Sequence, residues 1–445
     1  MRILLIVHQF LPRHVTGTEQ YVRSIARGLK ARGHEPVVFA FEPLLNHEKK
    51  GLLWFERDDE VDGISVRRVG LHPEECAGPV LGDHENPIVG RLLEKLLDER
   101  AFAVTHLFHP RHIGLAAIRE PQRRGIPVVV NLMDFWFLCP NFMLLRRGGE
   151  LCDGPPNGGL GCVGCIDPVL GRILDRSGTE KELVALARSA GRTPSVAQRP
   201  LSRALTLMLR KERTFAALAR AEAILAPSLF LRDKFAAAGF PKARLEHVPY
   251  GVDRERLAGF AKRESKAGEL AIGYVGSITA HKGLHVLLSA VRGMKSPLVS
   301  VDVYGSLDTH AEYSARVTKI AGNDRRIRFR GPFEPHELGV VLSRCDLLVV
   351  PSLWYENTPF TMLEALAAGL PVVASDLGGI SEVVVPERNG WLFPAGDEGA
   401  LRLLLERIAE PSARSLTGGT SPRTLDDNLD ELERIYARVR GGGGG

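Results

Sequence analysis

The 445-residue chain is short of the features that mark several protein classes. No apolar run approaches the ~20 residues a membrane-spanning helix needs, which excludes a membrane bundle. Six cysteines are too few for a disulfide scaffold. Neither sign of charge dominates: 58 Lys and Arg against 53 Asp and Glu leave +5, too thin and dispersed an excess to argue for nucleic acid. It is compatible with weak attraction to an anionic membrane surface or a phosphorylated substrate. With 44% hydrophobic and 25% charged residues, the composition is neither disordered nor collagen-like. The opening run Arg2 to Val7 stops at His8-Gln9, too short for a signal-peptide core and with no small-residue cleavage site behind it. It reads as a buried strand, and the chain as cytoplasmic.

What the chain does have is an α/β rhythm stated twice. Ile3 to Val7 reads as a strand, Thr16 to Glu19 as a loop, and the residues up to about Arg32 as a helix with Val22, Ile25, Ala26 and Leu29 on one face. Gly33 is placed to end it. Pro36 to Ala40, Val104 to Leu107 and Pro127 to Asn131 read as further short strands. The pattern restarts with Leu270 to Val275, a loop Gly276 to Gly283, a helix from Leu284 to about Met294, and strands at Val299 to Val303, Leu347 to Val350 and Val372 to Ala374. Buried strands alternating with helices predict two doubly wound parallel sheets, with ligands bound at the strands' carboxyl ends in a cleft between two domains. The expected division is 1–250, carrying an irregular insertion at about 139–200; 251–415; and 416–445, a linker, a terminal helix and a glycine tail.

The segment Pro351 to Ala365 leaves one of these strands, crosses a loop and enters a helix whose first position suits Pro359. Its leading N–H groups would attract phosphate, and Glu356 in the loop with Glu364 on the helix could grip different parts of an elongated polyhydroxylated ligand. The same spacing also arises by chance, from a solvated Glu followed by one on a helix face.

With Gly369 to Asp376, Gly378 to Glu382 and Asn389 to Leu392, the segment resembles the E-x7-E signature of retaining glycosyltransferases of family 4. Gly276 to Gly283 is similar to that family's glycine-lysine phosphate loop, Pro249 to Asp253 to its hinge, and Gly17-Thr18-Glu19 to its N-terminal glycine loop. The resemblance implies a GT-B fold with an acceptor-side first domain and a second domain that binds a nucleotide-diphosphate sugar. It implies that Glu356 holds hydroxyls of the transferred sugar, that Glu364 accepts from the ribose and that Lys282 neutralises the diphosphate. Backbone N–H groups of Asn357, Thr358 and Phe360, with Pro359 between them and with Gly17 and Ser277, would complete the donor site. No D-x-D triplet stands at a strand end, so transfer is expected without a metal or other cofactor.

The sequence departs from the family at two places. Ser277 stands where many relatives carry a second cation, and Met133 where they commonly place a histidine before Asp134. Asp134 is therefore the expected catalytic partner of Glu356, with His106 and His109 as nearby histidines of either structural or catalytic use.

Cys139, Cys152, Cys162 and Cys165 lie within 27 residues as C-x12-C-x9-C-x2-C, a set that suits structural zinc, an iron–sulfur cluster or unligated thiols. Cys76 and Cys345 read as solitary, the latter as core. Arg111, Arg146 and Arg147 are candidates for meeting an anionic acceptor. The basic stretch Leu205 to Arg213 offers either a peripheral contact on the inner face of the cytoplasmic membrane or a solvated helix face. The expected activity is transfer of a hexose to a glycan or lipid-linked acceptor in polysaccharide or glycoconjugate synthesis. The alternatives are a nucleotide-sugar epimerase and a non-catalytic nucleotide-sugar-binding scaffold.

Overall fold

The computed structural model describes residues 1–43, 54–71, 85–156, 159–176, 199–264, 269–410, 416 and 421–442. They form two compact units, one of Met1–Pro227, Leu231–Val248 and Leu429–Gly445, the other of Ser228–Phe230 and Pro249–Asn428.

The first unit is built on an eight-stranded sheet: β1 (Arg2–Val7), β2 (Glu35–Phe41), β3 (Trp54–Val61), β4 (Ile64–Leu71), β5 (Val104–Leu107), β6 (Val128–Asn131), β7 (Ala223–Ala226) and β8 (Leu245–His247). Their order is β3-β4-β2-β1-β5-β6-β7-β8, parallel except for β3 against β4. Ile3 to Val7 have no solvent exposure, as expected of a central strand covered on both faces. The helix α1 (Gly17–Ala31) buries Val22, Ile25, Ala26 and Leu29, and takes in Glu19, a residue expected in the preceding loop.

The β3–β4 hairpin was not expected. It turns on Asp62 and Gly63, both at positive φ, the two-residue turn whose twist matches antiparallel strands. Its faces are joined by charge: Arg67 bonds Asp58 at 2.7 Å and is also paired with Glu56, and Arg68 bonds Asp59 at 2.5 Å.

The insertion contains helices of its own, α2 (Leu160–Ile166) and α3 (Pro168–Arg176), before α4 (Arg199–Leu218). Leu205, Leu207 and Met208 of α4 are buried with Leu160 and Val163, and Arg210 lies 4.5 Å over the ring of Trp136. The apolar face of the basic stretch is therefore consumed inside the protein, which removes the lipid-facing surface expected of it. Among the described residues no helix is long and apolar enough to cross a membrane.

The second unit carries a six-stranded, wholly parallel sheet of β9 (Leu270–Val275), β10 (Val299–Tyr304), β11 (Ile327–Gly331), β12 (Leu347–Val350), β13 (Val372–Ser375) and β14 (Gly390–Phe393), ordered β11-β10-β9-β12-β13-β14. Helices α5 (Leu284–Gly293) and α6 (Phe360–Ala367) follow β9 and β12. Pro359 is the residue before α6 rather than its first, with extended backbone at ψ 125°. The last helix, α7 (Leu425–Gly441), joins the first unit from Leu429 onward. There His106 Nδ1 meets the Tyr436 hydroxyl at 2.7 Å, and the Leu429 side chain sits against Gly28.

Candidate active site

In each sheet the strand order reverses once, beside β1 in the first unit and beside β9 in the second. Ligands of doubly wound sheets bind at the carboxyl side of such a reversal. Both units place charged side chains there.

In the second unit the loops after β9 and β12 are tied together. Leu353 N–H donates to the His281 carbonyl at 2.8 Å. At Gly283, with φ +70°, a Cβ would stand 1.8 Å from the Pro351 carbonyl oxygen, so only glycine permits this approach. The result brings Lys282 to Glu356, with Nζ 2.6 Å from Oε1. Ser352 Oγ and Trp354 Nε1 each donate to the same oxygen at 2.8 Å. Burial raises the Glu356 carboxyl, but the Lys282 charge and the three donors outweigh it and hold the group below its ordinary value.

Behind Glu356 the loop is locked from the β13 side. Gly379 N–H donates to the Glu356 carbonyl at 2.8 Å, and Ser228 Oγ donates to Asn357 Oδ1 at 2.6 Å. A Cβ on Gly379 would stand 1.6 Å from the Asn357 carbonyl oxygen. Thr358 is buried, and Phe360 packs on Tyr250 with ring centroids 4.6 Å apart. Ser277 is exposed and contributes its carbonyl to the Tyr274 hydroxyl.

One helical turn and more along α6, Glu364 is also buried but is held differently. Arg256, from the turn Arg254–Leu257, bonds one oxygen, while Oε2 is buried with no hydrogen-bond partner. Burial pushes this carboxyl up to about 7, Arg256 opposing and Asp253 reinforcing the rise.

In the first unit, His109 Nε2 lies 2.7 Å from Asp134 Oδ2, and Trp136 N–H donates to Oδ1 at 2.7 Å. Arg111 N–H donates to His109 Nδ1 at 3.2 Å, which makes Nε2 the protonated nitrogen facing Asp134 in the neutral ring. His8, at the end of β1, stacks on His109 with centroids 4.2 Å apart. Its Nε2 stands 3.6 Å from Glu19 Oε1, and its Nδ1 is buried without a partner. Burial, then the neighbouring His109, keeps His8 well below the ordinary histidine range, while burial raises Glu19. Gly17 opens α1 nearby in the chain, preceded by Thr16 as its N-cap. Met133 takes a contact from Asn131 Nδ2 at 3.1 Å. His106 is inside β5, lowered to about 3 by burial, and is structural.

Sequence reasoning missed Arg256, Ser352, Trp354 and Ser228 in one unit and His8 in the other. Only Ser352 and Trp354 carried a local signal, lying in the same loop as Glu356. Of the acceptor candidates, Arg111 lies over the Phe142 ring at 4.7 Å, while Arg146 pairs loosely with Glu150 at 3.8 Å. Cys345 is core, and Cys76 falls outside the described residues. Cys139, Cys152, Cys162 and Cys165 are all free thiols. Among the described residues no three His, Cys, Asp or Glu side chains are arranged to hold a metal ion.

A family model described as "Glycosyl transferase 4-like domain" matches residues 16–251, more than half of the chain, and one described as "Glycosyl transferases group 1" matches residues 269–410. The chain belongs to this glycosyltransferase family. It is 29% identical to the GDP-mannose-dependent alpha-mannosyltransferase of Mycobacterium tuberculosis, with 98% of each chain covered. It is 30% identical to the amylovoran biosynthesis glycosyltransferase AmsK of Erwinia amylovora over 44% of this chain and 49% of that one, so here the match spans about half of the relative. Sucrose-phosphate synthase from Thermosynechococcus elongatus shares the fold with a TM-score of 0.64 at 19% identity, covering 99% of both chains. HepE of Anabaena, solved with UDP and glucose, gives 0.63 at 15% identity over 98% of this chain and 99% of its own. The fold is GT-B.

Proposed function

We propose that the protein is a retaining glycosyltransferase that moves a hexose from a nucleotide-diphosphate sugar to a glycan or lipid-linked acceptor in polysaccharide or glycoconjugate synthesis. The observation that carries this reading is the pair of buried carboxylates in the second unit. Glu356 receives all three of its donors on Oε1, which leaves Oε2 for sugar hydroxyls. Glu364 presents a buried oxygen that lacks a donor, the property required of an acceptor for ribose hydroxyls. Lys282, paired with Glu356, would share its charge with the departing diphosphate, a task suited to a compact ammonium. The first-turn amides of α6 would add dipolar stabilisation of that charge, and the resemblance gives the amides of α1, which starts at Gly17, the same task.

In the first unit, Asp134, oriented by His109, would hold a sugar hydroxyl in place of the histidine that Met133 replaces. The bond from the anomeric carbon to the diphosphate breaks as the acceptor oxygen attacks from the same face. The acceptor's proton passes to the leaving phosphate oxygen, so no side-chain base is needed, and the fixed cation and dipoles stabilise the charge that develops. The HepE complex with UDP and glucose, and the donor named for the mycobacterial mannosyltransferase, support a nucleotide-sugar donor. The relative named for amylovoran biosynthesis supports a polysaccharide setting.

The test is transfer from labelled UDP, GDP, ADP and dTDP sugars to lipid extracts and oligosaccharides, with chelator present and the anomeric configuration of the product read by NMR. A retained product formed at an undiminished rate in chelator is expected. An inverted product, or loss of rate in chelator that magnesium restores and zinc does not, would overturn the mechanism, and donor binding without transfer or hydrolysis would favour a scaffold.

A further inference from the structure

The insertion gathers the four cysteines that the glycosyltransferase reading does not use. They come from three separate stretches: a turn after β6, a short arm closed by the Leu145–Leu151 bridge, and the helix α2. Asn141 is the hub on which these stretches meet. Cys139 Sγ donates to its Oδ1 at 2.8 Å, and its Nδ2 stands 4.0 Å from Cys165 Sγ on the other side. The same Nδ2 donates to the Leu145 carbonyl at 2.5 Å, and the adjoining Leu144 carbonyl accepts from Cys152 N–H at 2.8 Å. Cys162 and Cys165 lie three residues apart on α2, a spacing that puts both sulfurs on one face. Cys162 is within electrostatic reach of Cys139, Cys152 and Cys165.

Among the described residues, the apolar cluster under α2 holds six buried residues, of which Ala204, Leu205, Leu207 and Met208 belong to α4. An irregular segment with so little core of its own is the setting in which structural zinc contributes folding energy.

We propose that Cys139, Cys152, Cys162 and Cys165 form a structural zinc site that fastens the insertion to the first unit. Cys139 Sγ is held on the Asn141 carboxamide and Cys152 Sγ donates to the Gly154 carbonyl at 3.0 Å. The four side chains do not yet converge on one point, so ligation requires these thiols to leave their partners and turn onto the metal. Each thiol releases its proton to solvent as its sulfur binds, so uptake of one Zn²⁺ sets free about four protons per chain.

The test uses the full chain, purified without chelator and analysed for metals, and the same chain stripped and titrated with Zn²⁺ while proton release is followed in weak buffer. About one zinc per chain is expected, bound tightly enough to survive dialysis, with proton release saturating at that stoichiometry. Co²⁺ in its place should give the intense visible bands of tetrahedral thiolate coordination. Cys162→Ser should lose the metal, and Cys345→Ala, in the other unit, should keep it. If Cys162→Ser does not fold, the cobalt spectrum and the proton count of the unaltered chain decide the matter. A folded chain that takes up no zinc and shows four titratable thiols from this set would overturn the proposal. So would iron with acid-labile sulfide, or full zinc retention in Cys162→Ser. None of these readouts involves donor or acceptor, so the result stands apart from the fate of the glycosyltransferase reading.

Discussion

Glu356 and Glu364 are the same residue type, both buried and close in the chain, yet their surroundings drive them in opposite directions. The first collects a cation and two neutral donors on one oxygen and is held ionised below its ordinary range. The second has one arginine, an adjacent Asp253 and an oxygen without a donor, and is raised to about 7. Carboxyl groups that their environments push apart in this way take different tasks. Glu356 is an assembled fixture of the loop, whereas Glu364 is incomplete until something donates to it.

The largest test of this contrast is Lys282→Ala. It should strip Glu356 of its countercharge and cost about 3 kcal/mol of stability in urea denaturation, the low end for a broken buried pair because the Lys282 side chain keeps 27% exposure. A loss below about 1 kcal/mol would mean that Ser352 and Trp354 suffice. Gly379→Ala should cost roughly 1–3 kcal/mol by driving a methyl against the Asn357 carbonyl and displacing the Glu356 loop, read as a drop in both melting temperature and donor affinity. Glu364→Gln should leave the fold intact and weaken the nucleotide-sugar donor about tenfold, near 1.4 kcal/mol, since an amide is a poorer acceptor for ribose hydroxyls.

The smallest effect is pH dependence. A carboxyl raised from 4.5 to about 7 binds its proton more tightly in the folded than in the unfolded chain. Its contribution to stability is therefore whole below pH 4.5 and is lost as pH rises through about 7. Donor affinity should move the other way, strengthening across that window as the carboxylate forms. Calorimetric titrations from pH 6 to 8 should show this slope in the unaltered protein and a flat profile in Glu364→Gln.

The strands and the loops after β9 and β12 were legible because buried parallel strands are short unbroken apolar runs, and because the residues of each loop lie together in sequence. Arg256 was not, since 108 positions of chain separate it from Glu364 and nothing around it marks a ligand loop. His109 was legible as a nearby histidine of structural or catalytic use; its pairing with Asp134 depends on β5 and β6 lying side by side. The β3–β4 hairpin was missed although Asp62-Gly63 is a strong turn signal, because Trp54 to Val61 is an edge strand rich in charge with little apolar alternation. The return of α7 to the first unit was equally hidden: its apolar stripe shows that it packs, not where.

The central claim is that the loops carrying Lys282, Glu356 and Glu364 hold the donor, and a thermal-shift screen of UDP, GDP, ADP and dTDP sugars against the unaltered chain, Glu356→Gln and Glu364→Gln tests it most directly. One nucleotide class should raise the melting temperature of the unaltered protein, with the shift lost or strongly reduced in both variants. An undiminished shift in both variants would place the donor elsewhere and contradict the account.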